Sequence, residues 1–273
     1  MTSRRPWRHV TFTLGVLLTF ALIAVAAVSL IWTPTDPLAM SIATRLQSPS
    51  ADHPFGTDQY GRDVLARVMA GARTSIAVGV IAVAIGAIAG VLLGIVSGYA
   101  GGWPDEILMR VSDAVQGFPA ILAALLFTAV FGPGVAMSMV AIGIAFVPAF
   151  ARLARGSVLE LRDRDFVVAA HALGAGDPRV LARHILPNTL APLIVQATTS
   201  FPVAILAESA LAYLGLGTQP PQPSWGSMLK DAQNFLSLSP SFALFPGGAI
   251  AVTVLGLNLL GDGLRDVLDP KTA

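Results

Sequence analysis

Residues 114–151 contain no ionisable side chain. An ionised group at the centre of a bilayer costs about 2.5–3.5 kcal/mol on insertion scales, so long charge-free apolar runs mark where a chain can sit in lipid. Further runs cover 11–32, 74–104, 189–213 with Glu208 as its single interruption, and 242–261. The turn former FGPG at 131–134 splits the first of these runs into two helices. The expected fold is therefore all-α, a polytopic membrane protein with six transmembrane helices. Composition agrees: 54% of residues are hydrophobic and 12% charged, against roughly 25% charged in soluble domains.

The amino-terminal MTSRRPWRHV followed by an apolar run has the outline of a secretory signal, and Ala24 and Ala26 mimic a cleavage site. The apolar run of 11–32 exceeds the roughly 7–15 residues of a signal core and suits a bilayer span, so an uncleaved first helix is expected. Six helices put both termini on one side. With the N-terminus cytoplasmic, the inside segments hold Arg4, Arg5, Arg8, Arg110, Arg152, Arg155, Arg162, Arg164, Arg179, Arg183, Arg265 and Lys271. Arg45, Arg62, Arg67, Arg73 and Lys230 remain outside. That bias predicts cytoplasmic termini. The divisions expected are 1–32 for the N-terminus and first helix, 33–73 for an extracytoplasmic segment, 74–262 for a five-helix membrane domain, and 263–273 for a cytoplasmic tail.

One segment on the cytoplasmic side is unlike the rest. In DFVVAAHALGAGDPRVLARHILPNT (165–189), Phe166, Ala169, Ala170 and Leu173 recur at three- and four-residue spacing and share one helical face. Gly174 and Gly176 can close that helix with a left-handed cap, and Asp177-Pro178 can open the next as N-cap and first residue. A solvated connecting loop is the plain reading. A docking surface is the other, because small residues at 169, 170, 172 and 174–176 allow another backbone to approach closely, and an apolar face at a membrane surface calls for cover.

VAAHALGAGDPRVLARHILP resembles the cytoplasmic signature of type I ABC importer permeases, a Glu-Ala-Ala, Gly, Ile-x-Leu-Pro pattern. Ala169, Ala170, Gly174, Leu186 and Pro187 fall at matching positions, while Val168 replaces the Glu and His184 the first Ile. The stretches at 53–75, 220–229 and 260–270 resemble the second permease subunit of dipeptide, oligopeptide and nickel importers. The resemblance implies a type I permease fold with an ATPase-coupling segment over about 155–188. Its contact residues would be Asp163, Asp165, Phe166, Ala169, Ala170, Leu173, Gly174, Ala175, Asp177 and Pro187, with Asp165 available in place of the missing acid at 168. It also implies a homologous permease as companion, two ATPase subunits that carry ATP and Mg, and an extracytoplasmic solute-binding protein. In such a machine the helix at 163–173 acts as a lever on helices four and five.

Elsewhere, HPFGTDQYGRDVLARVMAGARTS (53–75) reads as an outward turn and a short helix over 63–72, with Arg62, Asp63 and Arg67 solvent-accessible. It is either a surface loop or a binding-protein contact, and Asp58, Arg62, Asp63 and Trp225 are the contact candidates. Trp225, in GTQPPQPSWGSML (217–229), suits a membrane interface or the outer mouth of a pathway. Glu208 is the one deep acid, a candidate for the pathway or gate, or else a structural hydrogen bond to a Ser, a backbone group or a companion subunit. Arg110 and Asp113 can pair at i, i+3.

Chemistry of its own is not expected of the chain. It has no cysteine, its four histidines lie on separate segments, and no metal site is expected. Its lysines, Lys230 and Lys271, lie in no G-x-x-x-x-G-K-[ST] phosphate loop, and neither H-E-x-x-H nor G-x-S-x-G occurs. A net charge of +1 gives no reason to expect nucleic acid. The expectation is a non-enzymatic permease subunit in the inner membrane, moving peptides or a related solute such as a nickel complex, glutathione or an oligosaccharide. A standalone carrier coupled to protons through Glu208, or a membrane enzyme, is the rival reading.

Overall fold

The computed structural model describes residues 6–268. Arg4, Arg5 and Lys271 of the basic count above lie outside them, as do the side chains of Arg8 and His9. Helices α1 (Pro6–Ile31), α2 (Val64–Ala100), α3 (Gly102–Gln116), α4 (Ala120–Phe131) and α5 (Val135–Leu161) are followed by two short ones, α6 (Asp165–Ala172) and α7 (Asp177–Val180). A π-helical turn, Leu181–Ile185, leads into α8 (Leu186–Tyr213), and α9 (Trp225–Ala232) and α10 (Ser241–Leu268) complete the chain. Among the described residues five helical stretches are long and apolar enough to cross a membrane, or six if the bent pair α3–α4 counts as one.

The centre of the bundle is the contact of α2 with α5, and glycine makes it possible. Gly86, Gly90, Gly94 and Gly98 recur every four residues, so they form one stripe along α2. A Cβ on Gly90 would fall 2.5 Å from the Phe150 Cβ and 2.6 Å from the Val147 carbonyl oxygen; one on Gly86 would fall 2.5 Å from the Phe146 Cβ. On α5, Gly143 answers with the same close approach to Ile85. Between lipid-embedded helices the hydrophobic effect supplies no attraction, and close backbone packing of this kind is what holds them. The stripe is plain in the sequence as GAIAGVLLGIVSG, yet charge-free segmentation does not use it.

The outer pair, α1 and α10, is built the same way. Gly256 seats the Leu18 side chain and Gly263 that of Phe12, while Gly15 lies on the backbone of Leu260, so the two helices run antiparallel. Both described chain ends therefore lie at one end of the bundle. Arg162 donates to the Gly98 carbonyl at 3.3 Å, which puts α6 at the end where α2 finishes; the Trp225 indole N–H donates to the Val68 carbonyl at 2.9 Å, which puts α9 at the other. Side chains such as Leu17, Phe20, Ile88 and Leu244 point outward, an arrangement suited to lipid rather than water.

Several boundaries differ from expectation. The short helix at 63–72 and the second span are one continuous helix, α2, because nothing between Val64 and Ala100 breaks it. The expected span from residue 114 breaks instead at Gly117-Phe118-Pro119, where α3 and α4 meet at 88°. The third expected span is thus a bent pair of helices. Arg110 pairs with Glu106 at 2.5 Å, not with Asp113, which faces Arg152 at 3.4 Å. The helix expected at 163–173 begins at Asp165, after a turn at 162–164, and the tail expected from 263 continues α10 to Leu268.

The glycine stripe predicts that Gly90→Leu lowers the melting temperature of the purified protein in detergent, with overpacking costing about 1–3 kcal/mol or more. Gly156→Ala on the open face of α5, where an added Cβ meets nothing within 4 Å, should leave it unchanged or raised by about 0.5–1 kcal/mol.

Candidate functional site

Two assemblies carry the polar chemistry, one at each end of the bundle. At the α6 end, Val167 is buried against Val158, Val180 and Ile185, with Ile95, Tyr99, Leu161, Ala170, Ala175 and Leu181 around them. This cluster nails α6 to the ends of α2, α5 and the π turn. The helix stops as the glycine requires: Gly174 has φ +84°, its N–H donates to the His171 carbonyl at 2.9 Å, and the Ala175 N–H donates to that of Ala170 at 3.0 Å. These two bonds make a Schellman cap. Tyr99 donates its hydroxyl to Asp177 at 2.6 Å and so ties the start of α7 to α2. Gly176, not Asp177, is the N-cap, and Asp177 and Pro178 occupy the first turn.

With Val167 and Ala170 turned inward, the other side of α6 is open. Phe166 is 42% exposed, Val168 56% and Leu173 89%, with Ala169, Asp163 and Asp165 exposed beside them. The face read from the sequence is therefore split: Phe166, Ala169 and Leu173 stay on it, while Ala170, partly buried, joins the anchor. Val167, absent from the expected set, is the residue that does the anchoring. A fully apolar run at 166–170 hides which of its members faces in, and only the position of α7 decides it. Pro187 begins α8.

At the α9 end most of the polar run of 53–75 is buried, with Pro54 and Tyr60 left exposed. Asp58 is 0% exposed; its Oδ1 accepts from the backbone N–H groups of Tyr60 and Arg62 at 2.8 and 2.9 Å, and its Oδ2 accepts from Arg62 Nε at 2.5 Å and faces Arg67 Nε at 3.6 Å. Asp63 caps α2 by accepting from the Ala66 N–H at 2.8 Å and holds His53 Nδ1 at 2.8 Å with its other oxygen. Arg62, Asp63 and Arg67, expected to be solvent-accessible, are all buried. The reason is topological: the segment before α2 folds back over the helix end, and Phe55 stacks on Phe245 of α10 at 3.8 Å. Buried in this way, Asp58 and Asp63 offer almost no surface to a docking protein, while Arg62 is reached only through the cavity that it lines.

Trp225 is corrected likewise. It is 2% exposed, donates to Val68 and lies on Gly71, where a Cβ would meet its ring at 2.8 Å. It is a wedge between α2 and α9 rather than an interfacial anchor. Ser224 caps α9 with Ser227 in a reciprocal box, and Gly226 lies directly on the backbone of Ser209. Under this cap Glu208 is 0% exposed, with Oε1 accepting from the Thr218 hydroxyl at 3.3 Å and Oε2 without a hydrogen-bond partner among the described residues. The carboxyl thus meets the loop after α8 within its own chain. Among the described residues no three His, Cys, Asp or Glu side chains gather into a metal-binding group.

The helical bundle thus has an apolar exterior suited to lipid, an anchored helical hairpin with an open face at one end and a stapled polar cap at the other. Residues 90–273 match the family described as binding-protein-dependent transport system inner membrane component, and the chain belongs to that family. It is 44% identical, over 99% of its length and 91% of the relative's, to the dipeptide transport system permease protein DppC of Alkalihalophilus pseudofirmus. It is 41% identical, over 98% and 92%, to the glutathione transport system permease protein GsiD of Pectobacterium atrosepticum. The fold is similar to that in an inward-facing structure of the MetNI methionine ABC transporter, with a TM-score of 0.59 and 16% identity over 76% of this chain and 96% of that one. The protein is thus an ABC permease subunit of the inner membrane, a transport component and not an enzyme; the ATPase is a separate subunit, and the system includes a binding protein.

The Asp58 cluster yields a stability prediction. Asp58→Asn leaves Arg62 and Arg67 buried without their shared counter-charge, a change that costs about 3–5 kcal/mol. It should be read as a large fall in melting temperature, whereas Asp36→Asn, at an exposed turn, should change it little.

Proposed function

We propose that the chain is one of two homologous permeases that together form the pathway of an ATP-driven importer of dipeptides, oligopeptides or glutathione. The α6 end faces the cytoplasm with both termini, and two ATPase subunits, carrying ATP and Mg, seat against it. The α9 end faces outward, toward the binding protein. The observation that carries this reading is the split of α6. One side, Val167 and Ala170, is fixed in the bundle, while Phe166, Ala169 and Leu173 present apolar surface that the chain itself does not cover.

A rigid anchor with an open apolar face is what a coupling element needs. Asp163 and Asp165 flank that face and can meet basic groups of an ATPase, which compensates for Val168 where related permeases carry an acid. Force received there passes through the Val167 cluster to α5 and through the cap at Gly174 to α7, the π turn and α8. Ala175, Asp177 and Pro187 belong to that linkage, not to the contact face. The substrate classes follow from what the relatives are named for, peptides and glutathione. Glu208, paired with Thr218 beneath the cap, fits a lock on the outer end of α8 better than a proton carrier.

Leu173→Asp should abolish co-purification of the ATPases and reduce uptake at least tenfold, with the melting temperature of the isolated chain little changed because Leu173 is 89% exposed; normal association would sink the coupling assignment. Because the chain has no cysteine, orientation can be read directly. In intact cells an impermeant maleimide should label Gln222→Cys and spare Leu173→Cys, and the reverse pattern would invert the topology. Competition for uptake between labelled dipeptides and glutathione assigns the substrate.

A further inference from the structure

At the α9 end, the loop at 217–222, the α9 helix and the segment before α2 enclose a cavity of about 250 Å³. Three cations line it, Arg62, Arg67 and Lys230, and one carboxylate, Asp231. The buried Asp58 stands behind them. Asp58 serves both arginines, and Asp231 lies 3.6 Å from Arg62 Nη2. Three positive charges thus face two negative ones, and the surplus falls on Lys230, which has no ion-pair partner among the described residues. Its ammonium rests over Gly215, where a Cβ would collide with Nζ. Arg67 also donates to the Pro37 carbonyl at 3.2 Å, and the Arg62 guanidinium stacks on Tyr60 at 4.6 Å. Even so, Arg62 Nη2 and Arg67 Nε are buried with no hydrogen-bond acceptor.

Buried charged donors without acceptors are costly, and a carboxylate is the group whose geometry and charge satisfy them. At about 250 Å³ the cavity is smaller than the roughly 300–1,000 Å³ of sites that enclose a whole small ligand, a size suited to one side chain. The cavity also shares Met40, Tyr60, Lys230 and Asp231 with a wider hollow of about 790 Å³, where Arg45 adds a further cation. We propose that this cavity receives a single Asp or Glu side chain, carried at the tip of a surface element of the binding protein as it docks on the α9 end. The carboxylate pairs with Lys230 and Arg62, and the outer hollow accommodates the element that bears it. This inference rests on the importer reading above, and it moves the binding-protein contact from Asp58, Asp63 and Trp225 to Lys230 and the loop at 217–222.

The test uses the assembled transporter in nanodiscs and the binding protein of the same system. Lys230 is exposed, so Lys230→Glu should leave assembly with the ATPases intact. It should weaken binding-protein affinity at least tenfold and flatten the dependence of that affinity on salt. Among charge-reversed Asp and Glu variants of the binding protein, one should restore affinity to Lys230→Glu alone. Unchanged affinity, or the absence of any restoring partner, overturns the proposal while leaving the importer reading intact. An unchanged affinity with a raised KM only for substrates bearing a free carboxylate also overturns it and assigns the cavity to the solute. A wild-type transporter that ignores the binding protein would instead refute the importer reading itself.

Discussion

Everything else in the structure hangs on two backbones lying against each other. With no side chains at Gly86, Gly90, Gly94 and Gly98, α2 approaches the carbonyls and Cβ atoms of α5 over three turns. In a bilayer, where burial of apolar surface does not discriminate protein from lipid, such contact is the main source of helix association. It sets α2 and α5 as a fixed pair. The ends of that pair then fix where α6 and α9 sit. Asp105 of α3 locks the α6 end further by a bidentate ion pair to Arg155, at 2.6 and 2.7 Å.

The two ends are stabilised by different physics, in keeping with what surrounds them. At the α6 end a small apolar cluster, one Schellman cap and one tyrosine–aspartate bond hold a hairpin whose outer surface stays open. At the α9 end a network of buried ions, two caps and a tryptophan wedge close the structure over itself. Buried ion networks contribute little net stability compared with apolar packing, but they penalise any arrangement that separates their members. The α9 cap is therefore specified more than it is strengthened, and its one surplus charge, on Lys230, is exposed.

Most of the architecture was legible in the sequence, because a bilayer leaves few options. Charge-free runs located the crossings, and the GAG break at 174–176 located the hairpin and its left-handed residue. What failed did so for identifiable reasons. A Gly-Phe-Pro break inside a charge-free run carries no charge signal, so segmentation finds FGPG, which does separate α4 from α5, but not the bend between α3 and α4. Polar residues in GTDQYGRD read as surface because pattern alone cannot show that a segment folds back over a helix end and satisfies them internally. Trp225 misled in the same way: its indole N–H found a buried carbonyl where an interfacial headgroup was expected.

One further consequence follows from α7, the π turn and α8, which together form one helical stretch, Asp177–Tyr213. No loop intervenes between the hairpin and the outer cap, so a displacement at Asp177 has nowhere to dissipate except in the helix itself. Its compliant points are the wide turn at 181–185 and the missing backbone donors at Pro192 and Pro202. Between them lie the stiffer segments 186–191 and 193–201. Such a stretch behaves as a jointed strut, in which the positions of the joints, more than the strength of any contact, determine how far and in which direction its far end swings.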